Sequence, residues 1–339
     1  MIKPLKDIYF DKELSPGAYN AIHTCLRLKP EENVILITDE VTFEIAASLI
    51  NEIEKTGSDY RVFVLEECAN RPLKRMPDII LHNLAKAQVS IFVCSTQPGE
   101  LASRIQMTKI VNENKIRHGH MVNINKQIML EGMRADFVEI DRHSQALIER
   151  AKKAKIIKAK SKAGTDITAE FSPEIKWIKS SGIISAEKWG NLPGGEIFTS
   201  PLNINGKFVV DGVVGDYLCQ KYGDLKETPL EIEISDARVK KIDCDNPELL
   251  KEFFSYIMTD ENSNRVGEFA IGTNTAIKNI IGHILQDEKF PGIHIAFGHP
   301  YAEHTGAGWT STTHIDCVGR DFDVWFDDEK IMEKGKFLQ

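Results

Sequence analysis

The chain has 339 residues, 42% of them hydrophobic and 27% charged, with a formal net charge of −8 at pH 7. That length exceeds one compact core and suggests two domains. The acidic balance argues against nucleic acid as a partner, since phosphate binding rests on clustered Lys and Arg, and no run reaches the roughly 18 apolar residues of a membrane span.

The opening MIKPLKDIYF lacks the apolar stretch of a signal peptide. The six cysteines are scattered without a CxxC, so neither a zinc ribbon nor a redox pair is indicated, and a reducing, cytoplasmic location is expected.

In chain order, residues 32–38 predict a buried strand, followed by a turn that offers Thr42 as the N-cap of a helix over 43–55. Ile45, Leu49, Ile50 and Ile53 stand at helical spacing there, and Gly57 suits the stop. Residues 60–65 read as a second strand, 79–87 as a helix opened by Pro77-Asp78, and 89–94 as a third strand with Cys94 a buried thiol. A further helix begins at Pro98-Gly99-Glu100. Strands alternating with helices imply a mostly parallel sheet covered on both faces. There is no GxGxxG after the first strand and no GxxxxGK[ST], so a nucleotide role is unsupported. Arg117-His118-Gly119-His120 reads as a polar loop or inter-domain contact.

The pattern changes between residues 115 and 145. The expected architecture is an N-terminal α/β domain over 1–135, followed by a C-terminal α+β metal-binding domain over 136–339. In the second domain, 144–155 predicts an amphipathic helix with Ser144 as N-cap, and the basic run 150–162 a solvated helix face. Residues 155–160 and 166–171 alternate as half-buried strands around an Ala163-Gly164 turn. Strands are expected at 196–201, 208–214 and 230–234, with Asn205-Gly206 as a hairpin turn. Helices are expected at 247–255 and 275–285, and a last strand pair turns through Asp327-Asp328.

Five of the ten histidines lie between His283 and His314. In a strand, residues i and i+2 face the same side, so His314 and Asp316 can converge on one pocket while Cys317 points away into the core. An imidazole with a carboxylate suits Zn²⁺, Co²⁺, Mn²⁺ or Fe²⁺. A second strand, 292–298, carries His294 among apolar neighbours, and the polar loop after it offers the Tyr301 hydroxyl. Glycines precede Glu196 in Pro193-Gly194-Gly195-Glu196 and Glu268 in Val266-Gly267-Glu268, where they let backbone approach closely. Two buried, unpaired glutamates would be costly; metal cations would neutralise them.

The segments NLPGGEIFTSP, GEFAIGTN, HIAFGHPY and HID resemble, in order and character, the M29 metallopeptidases, the aminopeptidase T and aminopeptidase S group. The likeness covers most of the chain and is sharpest from Gly164-Thr165-Asp166-Ile167-Thr168 onward. It implies a two-domain, homodimeric exopeptidase that takes small peptides and holds two divalent ions (Zn, Co or Mn) in an internal cavity. By position it implies Glu196, Glu268, His294, His314 and Asp316 as metal ligands, Glu268 as the catalytic bridge and Tyr301 as the catalytic tyrosine. The family's acid before the first histidine has only an offset counterpart, Glu288.

The mechanism expected from that resemblance is metal-assisted hydrolysis. Two ions, roughly 3.5–4 Å apart by the general rule for such sites, would share a hydroxide and polarise the scissile carbonyl, and Tyr301 would donate to the oxyanion. The substrate's free α-amino group binds one ion, which restricts cleavage to N-terminal residues. Glu303 or His304 would shuttle the proton, and Phe198, Phe297 and Trp309 would line a side-chain pocket. The competing expectation is a ring-cleaving dioxygenase of the 2,5-dihydroxypyridine type, with one Fe(II) on His294, His314 and Asp316. The pair Glu196 and Glu268, which a mononuclear iron site does not need, favours the hydrolase. A third class, a non-catalytic protein with a structural metal, is disfavoured by Tyr301.

Overall fold

The structure, a computed structural model, describes residues 5–338. The chain divides into two compact units. The first runs to Glu139 and takes in Gly182–Gly194; the second comprises Ile140–Ser181 and the chain from Gly195 onward.

The first unit is built on a parallel sheet of order β2-β1-β3-β4-β8, with β1 Asn33–Thr38, β2 Asp59–Val64, β3 Val89–Val93, β4 Arg117–His120 and β8 Gly190–Asn191. The strands β1 and β3 are nearly continuous apolar runs because both faces of a parallel sheet are covered. The helix Phe43–Thr56 stops at Gly57, with φ 77°. Thr42 does not cap that helix through its side chain. Its hydroxyl instead donates to Asp39 Oδ1 at 2.8 Å or the Val93 carbonyl at 2.5 Å, and Asp39 caps the preceding turn.

Residues 117–120 are not a polar loop but strand β4. His118 and His120 are buried, with Ser90 Oγ 2.7 Å from His118 Nδ1 and His118 Nε2 3.1 Å from His120 Nδ1. Burial holds His118 neutral, pushing its pKa down to about 3. Pairing with one another and with Ser90 is what lets two polar rings occupy a sheet interior. At the C-terminal ends of β1 and β3, where open α/β sheets bind ligands, Arg71 instead pairs with Asp39 at 2.9 Å and Glu100 at 2.6 Å.

The second unit contains two antiparallel sheets. The larger has the order β12-β11-β10-β6-β5-β16-β17-β18. Its strands are β5 Ile156–Ser161, β6 Asp166–Glu170, β10 Asn203–Val210, β11 Leu230–Ser235, β12 Arg238–Asp243, β16 Phe322–Phe326, β17 Glu329–Glu333 and β18 Lys336–Phe337. The smaller, the site sheet, has the order β15-β14-β13-β9-β7, with β7 Ile178–Ser180, β9 Glu196–Thr199, β13 Val266–Gly272, β14 Gly292–Gly298 and β15 His314–Val318. Both contribute to one hydrophobic core: Ile157, Ala159, Phe208 and Ile232 from the larger sheet, and Phe269, Ile271, Ile293, Ile295, Ile315 and Cys317 from the smaller.

Four local expectations are corrected here. Asn205-Gly206 is not a hairpin but the middle of β10, paired on both sides; a Cβ at Gly206 would strike the Asp166 carbonyl oxygen, so close strand approach explains this glycine. Ser144 is not a cap. The helix spans Phe137–Ala151, and Ser144 Oγ lies 2.8 Å from Thr273 Oγ1 in its buried middle. The lysines of the basic run lie beyond that helix, and Lys158 and Lys160 are the exposed alternates of β5. Within 275–285, only the short helix Ile284–Asp287 starts, because the preceding segment is spent in turns that lead into it.

Candidate metal centre

The period-2 alternation that sends Phe269, Ile271, Ile293, Ile295, Ile315 and Cys317 into the core sends their neighbours to the other face of the site sheet. Those neighbours are Glu268, His294, His314 and Asp316, joined by Glu196 from β9. Ladder pairing sets them side by side: Glu268 opposes Ala296, which opposes Asp316, and His294 opposes Ala270. The intervening alanines are small and leave room above the sheet.

Glu196, Glu268 and His294 are buried, at 6%, 4% and 2% exposure. Among the described residues they form a group whose ligand atoms all lie within 4.8 Å of one another. His294 Nε2 lies 3.5 Å from Glu268 Oε1 and 3.6 Å from Glu196 Oε2. The other oxygen, Glu268 Oε2, faces His314 Nε2 at 3.9 Å, and that nitrogen stands 3.3 Å from Asp316 Oδ1. The structure therefore brings all five expected ligands onto one face, with the Glu268 carboxylate between the two imidazoles.

Two glycines make this possible. A Cβ at Gly195 would meet Asn274, and one at Gly267 would strike the carbonyl oxygen of Gly298. Gly267 is also where the β13–β14 register shifts, a bulge that re-aims Glu268. Gly267→Ala should therefore lower stability by about 1–3 kcal/mol, the range for overpacked sites, and weaken metal binding with it. A denaturant midpoint beside a metal titration would check both; an unchanged midpoint would show that the bulge tolerates a methyl.

Buried charge sets the protonation of the group. Burial raises the Glu268 pKa against the opposing pull of His294 and His314. Burial alone would lower His314, but Asp316 and Glu268 outweigh it and raise its pKa to about 10. Burial likewise disfavours ionised Asp316, yet His314 brings it down to about 2. The His314 ring orientation is held by its Nδ1, 2.9 Å from the His299 carbonyl. With Nδ1–H donating there, Nε2 is the nitrogen turned to the carboxylates, as in histidines that bind metals.

Tyr301 has a left-handed backbone, φ 48°, and its ring centroid is 4.8 Å from that of His314 and 5.7 Å from that of Phe198. Burial, then Glu268 and Asp316, push its hydroxyl well above the usual range, so it stays a protonated donor. Phe198 lies on the site face, whereas Phe297 belongs to the core and lines no pocket on that face. Trp309 packs over Arg265 at 4.3 Å. Glu303 and His304 are exposed and face one another at 3.9 Å; the structure does not bring them into the cluster.

One participant escaped the sequence reading. Lys289 is 1% exposed, with Nζ 2.6 Å from Glu196 Oε1 and 2.5 Å from Glu288 Oε1. The only local signal was its place beside Glu288, ahead of the His294 strand.

His294 Nε2 tests whether these residues suit a metal. It is buried without a hydrogen-bond partner, facing carboxylate oxygens beyond hydrogen-bond reach. An orphaned buried nitrogen costs about 1–3 kcal/mol. A divalent cation between imidazole nitrogen and carboxylate oxygens would satisfy it, and the mixed N and O donor set suits Zn²⁺, Co²⁺, Mn²⁺ or Fe²⁺.

Solved structures that share the fold include the following two. AmpT from Thermus thermophilus is 16% identical, with a TM-score of 0.69 over 98% of this chain and 100% of that one. 2,5-Dihydroxypyridine dioxygenase from Pseudomonas putida is 15% identical, with a TM-score of 0.67 over 96% of each chain. At these identities the likeness is one of fold alone. No curated protein sequence matches the chain, and no described helix is long and apolar enough to cross a membrane. The model of the thermophilic metalloprotease family, M29, matches residues 134–337. That match covers more than half of the chain and contains every residue of the cluster, so the chain belongs to the M29 family and is a metallopeptidase.

Proposed function

We propose that the chain is an aminopeptidase with a dinuclear centre, and that Glu196, Glu268, His294, His314 and Asp316 hold its two divalent ions. The Glu268 carboxylate carries this reading. Its two oxygens face two different histidines, at 3.5 Å and 3.9 Å, which is what a bridging ligand requires. Glu196 and His294 complete one half of the site, His314 and Asp316 the other. When bound, the ions act as Lewis acids on the scissile carbonyl and on water.

The chain's own residues supply the rest. Tyr301, kept protonated, donates a hydrogen bond to the oxygen on which negative charge develops. The His299 carbonyl fixes the His314 ring. The Lys289 ammonium is paired with Glu196 and Glu288, and a substrate's free α-amino group, as the neutral amine, would bind one of the ions, which a blocked one cannot do. Residues Phe198 and Tyr301 flank the cluster on the side where a substrate side chain would lie.

The dioxygenase reading needs one iron on His294, His314 and Asp316. The arrangement supports it less, because Glu196 and Glu268 crowd His294 and a mononuclear site has no use for both. Metal-depleted protein reconstituted with Zn²⁺, Co²⁺ or Mn²⁺ should bind two ions per chain. It should then cleave aminoacyl-p-nitroanilides and short peptides but not their N-acetylated forms. One iron per chain, with oxygen uptake on hydroxypyridines and no peptide cleavage, would replace this reading with the oxygenase.

A further inference from the structure

The acidic cluster contains a fixed cation of its own, Lys289. A buried ammonium is tolerated only with close partners, and Lys289 has two: Oε1 of Glu196 at 2.6 Å and Oε1 of Glu288 at 2.5 Å. Its backbone is pinned as well, because the Lys289 carbonyl accepts from Asn274 N at 3.0 Å and Thr273 N donates to the Gly195 carbonyl at 2.7 Å. The strand that carries Glu196 and the segment that carries Lys289 are thus tied through the same two residues, Thr273 and Asn274. Only Glu196 Oε2 is left facing His294 Nε2, at 3.6 Å.

We propose that Lys289 is a positioning residue of the metal centre: it holds Glu196 Oε1 so that Glu196 offers the ion a single oxygen, Oε2. This rests on the metal-centre reading above. Limiting Glu196 to one oxygen keeps the coordination number low and leaves a position for substrate, as a catalytic site needs. The Glu288 carboxylate completes the clamp by holding the ammonium from its other side.

The sign of one measurement separates this role from a simpler one. If Lys289 were only a like charge beside a cation, removing it would tighten metal binding. If it positions Glu196, removing it weakens binding despite the loss of a repelling charge. Outer partners of metal ligands typically contribute about 10- to 100-fold in affinity. The test is Zn²⁺ affinity by chelator competition, with the visible spectrum of the Co²⁺ form, for wild type and Lys289→Met. Far-UV circular dichroism would report folding.

The expected result is binding weakened about 10- to 100-fold, because the ion itself must then order a released Glu196 side chain, with a changed Co²⁺ band as Glu196 is no longer held to a single oxygen. Equal or tighter binding, or an unchanged Co²⁺ spectrum, overturns the proposal. Should Lys289→Met fail to fold, the double variant Lys289→Met/Glu288→Gln removes the stranded carboxylate, leaves Glu196 equally unheld and is read by the same criteria. A wild-type protein that takes up no Zn²⁺ would sink the metal-centre reading itself, whereas a wild type that binds, with a variant that matches it, sinks only the role of Lys289.

Discussion

Glu268→Gln should reduce kcat/KM by about 10³-fold or more, close to 4 kcal/mol of transition-state stabilisation at 1.36 kcal/mol per tenfold. The amide keeps the size of the carboxylate but loses the charge and one of the two acceptor oxygens. Each of those oxygens faces a different histidine, Oε1 toward His294 and Oε2 toward His314, so one substitution would affect both halves of the proposed dinuclear site. Fold should survive, because the change removes a buried charge from a crowded acidic group rather than stranding one. The diagnostic result is therefore a folded protein whose metal content drops below two per chain. Activity within tenfold of wild type at full metal content would remove Glu268 from the bridging role.

Tyr301→Phe is expected to lower kcat by about 10²- to 10³-fold, the range for loss of one oxyanion donor, while KM changes little. The phenol ring packs against His314 and Phe198, and phenylalanine preserves that packing, so the loss isolates the hydroxyl. The surroundings keep the hydroxyl protonated, which makes it a donor and not a base. Metal stoichiometry should be unchanged, since the hydroxyl is not among the proposed ligands. A rise in KM with kcat intact would instead assign Tyr301 to substrate binding.

These two results would also measure how far local pattern carries function. Which side chains share a face within one strand is a local property of a period-2 backbone. The placing of His314 with Asp316, and of Cys317 opposite them, was legible for that reason. So were the β1 and β3 runs of the parallel sheet and the β5–β6 turn, where hydrophobic patterning and turn chemistry agree.

Local pattern failed where a partner distant in sequence decided the outcome. Arg117-His118-Gly119-His120 looks like a surface loop until Ser90 and the pairing of β3 with β4 make it a buried strand. Asn205-Gly206 looks like a hairpin until β6 and β11 close on both of its sides. The return of Gly182–Gly194 to the first unit has no signature in composition.

The cluster itself divides in the same way. The chain alone determined the residue types, the alternation and the glycines that precede Glu196 and Glu268. Only the tertiary structure decided that Glu268 stands between two imidazoles and that Lys289 holds one oxygen of Glu196. Side-chain direction within a strand follows from backbone geometry over two or three residues. Register between strands separated by scores of residues is set by the packing of the entire unit, which no short segment encodes.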